Sequence, residues 1–199
     1  MNRIQKRALD LVVAIFALVI LSPVLLVVAI AIRLESPGPV LFRQMRVGQG
    51  NRQFRIFKFR SMRSDSSDAD GNQSTARADA RITRVGRIIR RTSIDELPQL
   101  LNVIRSEMSM VGPRPHALGS TAGNELFWHA SQQYWLRHAL KPGITGLAQI
   151  RGYRGATECV EDLARRVRCD LEYLSNWSLW TDVMIMIKTI RVVIHKNAY

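Results

Sequence analysis

The stretch from Leu11 to Ile32, "LVVAIFALVILSPVLLVVAIAI", constrains this chain more than any other. It is 22 residues long, and only Ser22 and Pro23 in it are not plainly apolar. As a straight helix it would extend about 33 Å, roughly the thickness of a bilayer's hydrocarbon core. A buried core helix is seldom so long or so uniformly apolar. Arg3, Lys6 and Arg7 imitate the charged start of a cleavable signal, but the run exceeds a signal's core and no small-x-small site follows it. Membrane association is the expectation.

How the run sits in the membrane is less constrained. Ser22-Pro23 falls at its midpoint, where proline removes a helix hydrogen bond and crowds the preceding turn. A kinked spanning helix and a hairpin that returns to the same face both fit. Basic residues flank both ends, Arg3, Lys6 and Arg7 before and Arg33 after, so the positive-inside rule selects no orientation for a spanner. The two readings stand level on the residues alone.

The carboxyl end repeats the apolar theme. Leu171, Leu174, Trp177, Trp180, Met184, Ile187 and Ile190 recur three or four apart, which is helical spacing. Lys188, Arg191 and His195 fall on one basic stripe, and Trp177 and Trp180 suit a membrane interface. A helix lying in the interfacial plane is expected.

The net charge of +13 calls for an anionic partner: nucleic acid, phosphorylated small molecules or anionic lipid. Between Arg33 and Arg91 there are fourteen Lys and Arg against five Asp and Glu. Within that region "PGPVLFRQMRVGQGNRQFRIFKFRSM" reads as a β-hairpin with its turn at Gly48 to Asn51. Period-two alternation puts Lys58 on the face of Phe54 and Ile56, directed inward. Ser64 to Asp79 reads as a polar surface loop or lid. No Gly-rich phosphate loop, helix-turn-helix or RNA-binding aromatic motif is present, which argues against nucleic acid. Cys159 and Cys169 form no disulfide framework, and the four histidines have no zinc-site spacing.

In "RRTSIDELPQLLNV", Asp95 and Glu96 follow two arginines and precede a proline and an apolar run. Ser93-x-x-Glu96 fits a capping box, and taken alone the pair reads as a cap. With Asp95 as the N-cap instead, Pro98 falls in the first turn, where no donor is needed. Either register puts both carboxylates at a helix's positive end, which favours their ionised forms. Context adds Arg90 before the pair and "GPRPH" after the helix, where Pro113 and Pro115 restrict the backbone around Arg114. Carboxylates to attack phosphorus or hold a divalent ion, with arginines to grip phosphate, make a phosphoryl-transfer set. A membrane-surface binding protein with a merely capping pair, and a membrane-tethered nucleic-acid binder, are the competing classes.

The stretches "KRALDLVVAIFALVILSPVLL", "ESPGPVLFRQMRVGQG", "FRIFKFRSM", "RITRVGRIIRRTSIDELPQLLNVIRSEMSMVGPRP", "KPGITGLAQIRGYRG" and "NWSLWTDVMIMIKTI" together resemble the bacterial sugar transferases. These are the small monotopic polyprenyl-phosphate phosphoglycosyl transferases that begin cell-surface glycan assembly. The resemblance covers nearly the whole chain in order, with no departure at the catalytic positions. It implies a membrane-embedded, mostly α fold with a small β-hairpin, a re-entrant N-terminal helix broken at Ser22 and Pro23, and in-plane amphipathic helices. The chain then divides into a re-entrant segment 1–34, a catalytic part 35–168 on the cytoplasmic face of the bacterial inner membrane, and an interfacial helix 169–199. Larger relatives carry extra amino-terminal spans, so the chain reads as a minimal catalytic form.

The implied reaction moves a sugar 1-phosphate from a UDP-sugar to polyprenyl (undecaprenyl) phosphate and releases UMP. By resemblance Asp95 is the nucleophile of a covalent phosphosugar-aspartyl intermediate and the ligand of Mg²⁺. Glu96 is the neighbouring base or positioning carboxylate. Arg90 and Arg114, the latter with Pro113, bind phosphate, and Lys58 and Arg60 are further basic site residues. "RGYRGATE" and "NWSLW" look more like members that transfer glucose or galactose 1-phosphate in exopolysaccharide or capsule synthesis. Membrane lipid is a partner, nucleic acid is not, and the resemblance leaves room for an oligomer.

Overall fold

The computed structural model describes residues 3–63, 79–155, 157 and 159–194, with the side chains of 191–194 outside the description. Nearly all of the Ser64–Asp79 loop, Arg191's side chain and His195 therefore lie outside the described residues. Among the described residues the fold is mostly helical with three two-stranded sheets.

The apolar run forms one helix, α1 (Arg3–Glu35), long and apolar enough to cross a membrane and consistent with a membrane-associated protein. The helix continues through Ser22-Pro23, where the resemblance implied a break. Pro23 has no N–H for the carbonyl four residues back, that of Val19, and the Ser22 hydroxyl donates to this same oxygen at 2.8 Å. The serine thus replaces the bond that the proline deletes.

One stripe of α1 packs on the rest of the protein over nearly its whole length. Lys6, Asp10 and Ala14 are buried at one end and Ile32 at the other, with Ala17, Leu18, Leu25, Val28 and Ala29 partly covered between. The opposite stripe, including Val12, Phe16, Val19, Leu26 and Ile30, is exposed and apolar. Lys6 and Arg7, read from sequence as basic residues flanking the apolar run, are engaged internally. Lys6 Nζ donates to Asp182 Oδ2 at 2.6 Å and to the Val111 carbonyl at 3.1 Å. Arg7 donates to the carbonyls of Val103 and Ile104 at 2.6 and 2.9 Å, closing the end of α3 (Leu100–Ile104).

The hairpin is β1 (Leu41–Val47) with β2 (Gln53–Phe59), antiparallel, with Leu41 opposite Phe59 and Val47 opposite Gln53. Its turn uses Gly50 and Asn51, both at φ 61°. Phe54 and Ile56 pack against Ala14, Leu100, Val103 and Met108. On the other face Phe57 is covered by the guanidinium groups of Arg43 and Arg105, 5.5 and 4.7 Å from its ring. The buried Asn102 amide acts as a substitute strand for β2: its Oδ1 accepts from Phe57 N at 3.0 Å and its Nδ2 donates to Arg55 O at 2.7 Å. That pair of bonds fixes the hairpin to α3.

After β2 the chain crosses to α2 (Arg84–Arg91), which Thr83 caps by accepting from Gly86 N at 2.9 Å. A side chain at Gly86 would bring a Cβ within 2.0 Å of the Ser61 carbonyl, so only glycine lets α2 lie this close to the end of the hairpin. A 3₁₀ turn, Ile94–Gln99, leads into α3. Then β3 (Ser109–Val111) pairs parallel with β6 (Gly143–Thr145). Between them lie β4 (Thr121–Ala122), β5 (Glu125–Leu126) and α4 (Phe127–Ala130), and α5 (Leu147–Ile150) follows.

The closing segment is two helices rather than the single one its periodicity suggested: α6 (Val160–Ser175) and α7 (Leu179–Ile194). The break follows from local polar bonds. Ser178 Oγ accepts from Thr181 N at 3.0 Å as a new cap, and Trp177 Nε1 donates to Asp182 Oδ2 at 3.1 Å. Trp177 is therefore partly buried in an internal network, whereas Trp180 is exposed.

Candidate active site

Ser93 adopts a left-handed backbone, φ 59°, where the chain leaves α2 and enters the 3₁₀ turn. Its side chain makes no capping bond, so the capping box is not formed; the hydroxyl accepts from Arg154 Nη2 at 2.8 Å instead. Asp95 and Glu96 follow as the second and third residues of the turn, both buried.

Glu96 is held by cations from three other segments. Arg114 donates Nη1 to Oε2 at 3.1 Å and Nη2 to Oε1, a bidentate grip. Lys58, on the inward face of β2 as the alternation requires, donates to Oε1 at 3.0 Å. Arg154 Nη2 lies 3.6 Å from Oε2. Burial works to raise the Glu96 pKa, but Arg114, Lys58 and Arg154 together outweigh it and hold the carboxyl well below its usual range. Among the described residues no side-chain hydrogen bond engages Asp95. Burial, with the Glu96 charge beside it, pushes Asp95 up to about 6 against the pull of Lys58, Arg90 and Arg114. The expectation that a helix end ionises both carboxylates is thus corrected: the 3₁₀ turn is short, and burial and side-chain cations decide the outcome. Burial likewise lowers the Lys58 amine, with Arg114 and Arg46 adding to the effect and Glu96 opposing it.

Arg114 is itself aimed by backbone. Gly112 N donates to Thr145 O at 2.9 Å and Gly143 N to Pro113 O at 2.9 Å, so β6 clamps Pro113 immediately before the arginine. A Cβ on Gly143 would stand 2.1 Å from Gly112 N, which makes glycine obligatory at this close approach. The Arg114 carbonyl accepts from Arg137 Nη2 at 2.7 Å, and Arg137 is buried against Asp170 at 2.7 Å.

The structure therefore gathers Asp95, Glu96, Lys58 and Arg114, with Pro113 in the supporting backbone. Arg90 acts on the Asp95 charge and reaches Ser61 Oγ at 3.4 Å. Arg60 is placed differently. Its buried guanidinium donates to the carbonyls of Ile32, Ser36 and Pro37 at 3.1, 2.7 and 2.8 Å, capping the end of α1. Ser22 and Pro23 are exposed in the middle of α1. Arg154 was missed from sequence; the signal was "RGYRG", where Gly152, at φ 89°, turns the chain back toward the pair. Arg46 was missed too. It is half-buried, donates to Gln44 Oε1, and is lowered to about 10 chiefly by desolvation of its guanidinium and then by Arg114.

Two adjacent carboxylates with opposite pKa displacements are thus ringed by Lys58, Arg90, Arg114 and Arg154, and among the described residues one of the two is unengaged by side-chain bonds. The profile of the bacterial sugar transferases matches residues 1–196, and the chain belongs to that family. It is 53% identical over 199 residues to the undecaprenyl-phosphate glucose phosphotransferase of Komagataeibacter xylinus, covering all of this chain and 37% of that protein. It is 48% identical over 199 residues to the UDP-glucose:undecaprenyl-phosphate glucose-1-phosphate transferase of Escherichia coli K12, covering all of this chain and 42% of that protein. It is also 48% identical over 190 residues to the exopolysaccharide production protein PSS of Rhizobium leguminosarum, covering 96% of this chain and 95% of that one. The chain thus spans less than half the length of the first two relatives and nearly all of the third.

Proposed function

We propose that this protein transfers a hexose 1-phosphate from a UDP-sugar to polyprenyl phosphate and releases UMP, starting an exopolysaccharide or related glycan. Two relatives are named for glucose, which favours glucose over galactose. The observation that carries the reading is the division of labour in the acidic pair: among the described residues Glu96 is tied to three cations, and Asp95 is left without a side-chain hydrogen bond. In the first step an Asp95 carboxylate oxygen attacks the β-phosphorus, the bond from that phosphorus to the bridging oxygen breaks, and UMP departs. In the second, a phosphate oxygen of the polyprenyl phosphate attacks the same phosphorus and the aspartyl bond breaks. Glu96 keeps Arg114 and Lys58 directed at the reacting phosphates, where their charge offsets that of the transferring group.

Magnesium suits this donor set through Asp95 alone. No group of three or more His, Cys, Asp or Glu lies together among the described residues, and magnesium commonly takes one or two carboxylates with substrate phosphates and water. Bound there, the ion would supply neutralisation of the diphosphate charge.

We assign the protein to the cytoplasmic face of the bacterial inner membrane, as a single catalytic unit over 1–199 with α1 re-entrant. Packing of one α1 stripe on the same folded body at both ends supports the re-entrant reading over a simple span. The decisive experiment is Asp95→Asn: UMP release from UDP-glucose should vanish while membrane extraction behaviour stays unchanged. Retained turnover would remove Asp95 as nucleophile.

A further inference from the structure

A cleft of about 180 Å³ opens beside the acidic pair, enclosed by the 3₁₀ turn, β6, α5 and α7. Glu96 and Arg154 line it, together with Ile94, Leu97, Ile144 and Ile150. We propose that this cleft receives the first isoprene unit of the lipid acceptor, with the acceptor phosphate at Arg154. The inference rests on the reading of the acceptor as polyprenyl phosphate.

Most polar groups that line the cleft are already occupied. Thr145 Oγ1 and Thr189 Oγ1 are 2.6 Å apart, and Thr189 also donates to Ile185 O at 2.7 Å. Ser93 Oγ takes the Arg154 bond, and Gln149 Nε2 donates to Ile144 O at 3.1 Å. What remains toward the interior is branched hydrocarbon and threonine methyl groups. A nucleobase needs partners for its ring N–H and carbonyls, and burying it unpaired is costly. A branched apolar chain has no such need, and its burial is favourable. Gln149 Oε1 is the exception, a buried acceptor without a partner among the described residues; it also borders a small cavity lined by His116, Arg137 and Tyr153.

The charge is graded in the same sense. Arg154, the cation that lines the cleft, contacts Glu96 only at 3.6 Å, the loosest of that carboxylate's three ion pairs among the described residues. It is the cation most readily turned to an incoming phosphate. On its other faces α7 exposes Ile187 and Ile190, apolar surface outside the cleft. A cation and a carboxylate beside branched apolar walls together fit an amphiphile with a phosphate head.

The test reads the two half-reactions separately. Ile150→Trp and Thr189→Leu fill the cleft from α5 and from α7. Each is expected to raise the KM for undecaprenyl phosphate at least tenfold, while acceptor-free UMP release from UDP-glucose stays within twofold. Loss of UMP release with an unaltered acceptor KM would assign the cleft to the donor and overturn the proposal, as would unchanged kinetics throughout. If both half-reactions fall, the unaltered protein decides: a geranyl phosphate bearing a diazirine on its first isoprene unit should label within 144–150 or at 189. Labelling confined elsewhere would overturn the proposal. Absence of UMP release by the unaltered protein from any UDP-sugar would instead defeat the functional reading, independently of where the probe attaches.

Discussion

Arg114 grips Glu96 with both terminal nitrogens, Nη1 3.1 Å from Oε2 and Nη2 against Oε1, across eighteen positions of sequence. The Pro-Arg-Pro segment and the 3₁₀ turn are joined through this one carboxylate, which Lys58 shares at 3.0 Å. Glu96→Gln leaves Arg114, Lys58 and Arg154 packed together with their counter-ion gone. A loss of about 3 kcal/mol in unfolding free energy is expected for breaking such a largely buried group. A lowered Tm in detergent micelles, with Glu96→Asp falling in between, is the measurement.

Asp95 should show the opposite sign. Its folded pKa of about 6 lies above the ordinary 3.8, so the folded state holds its proton longer than the unfolded chain. The stabilisation this gives is fully present below pH ~4 and is lost as pH rises through about 6. At pH 7.5 the ionised carboxylate is therefore a burden on the fold. Asp95→Asn is expected to raise stability by about 1–3 kcal/mol at that pH and to change little at pH 4. Equal Tm shifts at both values would contradict the assignment.

On the proposed mechanism the same ionisation gates the chemistry. A protonated Asp95 cannot attack phosphorus, so acceptor-free UMP release should climb with pH to a plateau, with its midpoint near 6. Stopped-time assays of UMP between pH 5 and 8 test this; a flat profile through 6 would exclude Asp95 as the group that must ionise.

Lys6 and Asp182 form a buried pair at 2.6 Å, and Tyr173 Oη donates to the other Asp182 oxygen at 2.6 Å. Either Lys6→Met or Asp182→Asn alone should cost about 3–5 kcal/mol, because each leaves a buried charge behind. The double variant should recover part of that loss, giving a clear coupling energy by denaturant titration.

Ile4 and Leu34, near the two ends of α1, are both 82% exposed. Cysteines placed there should react with an impermeant maleimide from one side of a sealed vesicle only. Labelling from opposite sides would refute the re-entrant reading.

What sequence could show was local. Lys58 was placed inward by period-two alternation, and Asp95, Glu96 and Arg114 stood out through their neighbours. The hairpin turn at Gly48 to Asn51 followed from its residues. Arg60, by contrast, looked like one more basic site residue. Its role at the carbonyls of Ile32, Ser36 and Pro37 depends on where α1 ends relative to β2, which no spacing records. Lys6 looked like a flanking charge because its partner is 176 positions away. The Ser93 box had the right letters, but the left-handed backbone between α2 and the turn removed the hydroxyl from the amide it would cap.

The Lys6–Asp182 pair also bears on how the protein is made. The first turn of the apolar helix is synthesised while its counter-charge, 176 positions later, is still untranslated. Until α7 leaves the ribosome, Lys6 stays in water or among lipid head groups, and the body cannot close over it. Completion is therefore a late event that waits on nearly the whole chain, as expected where the decisive contacts are so distant in sequence. Chains truncated before residue 182 should insert yet remain protease-sensitive, and quality control would meet them as membrane-bound, unfinished protein.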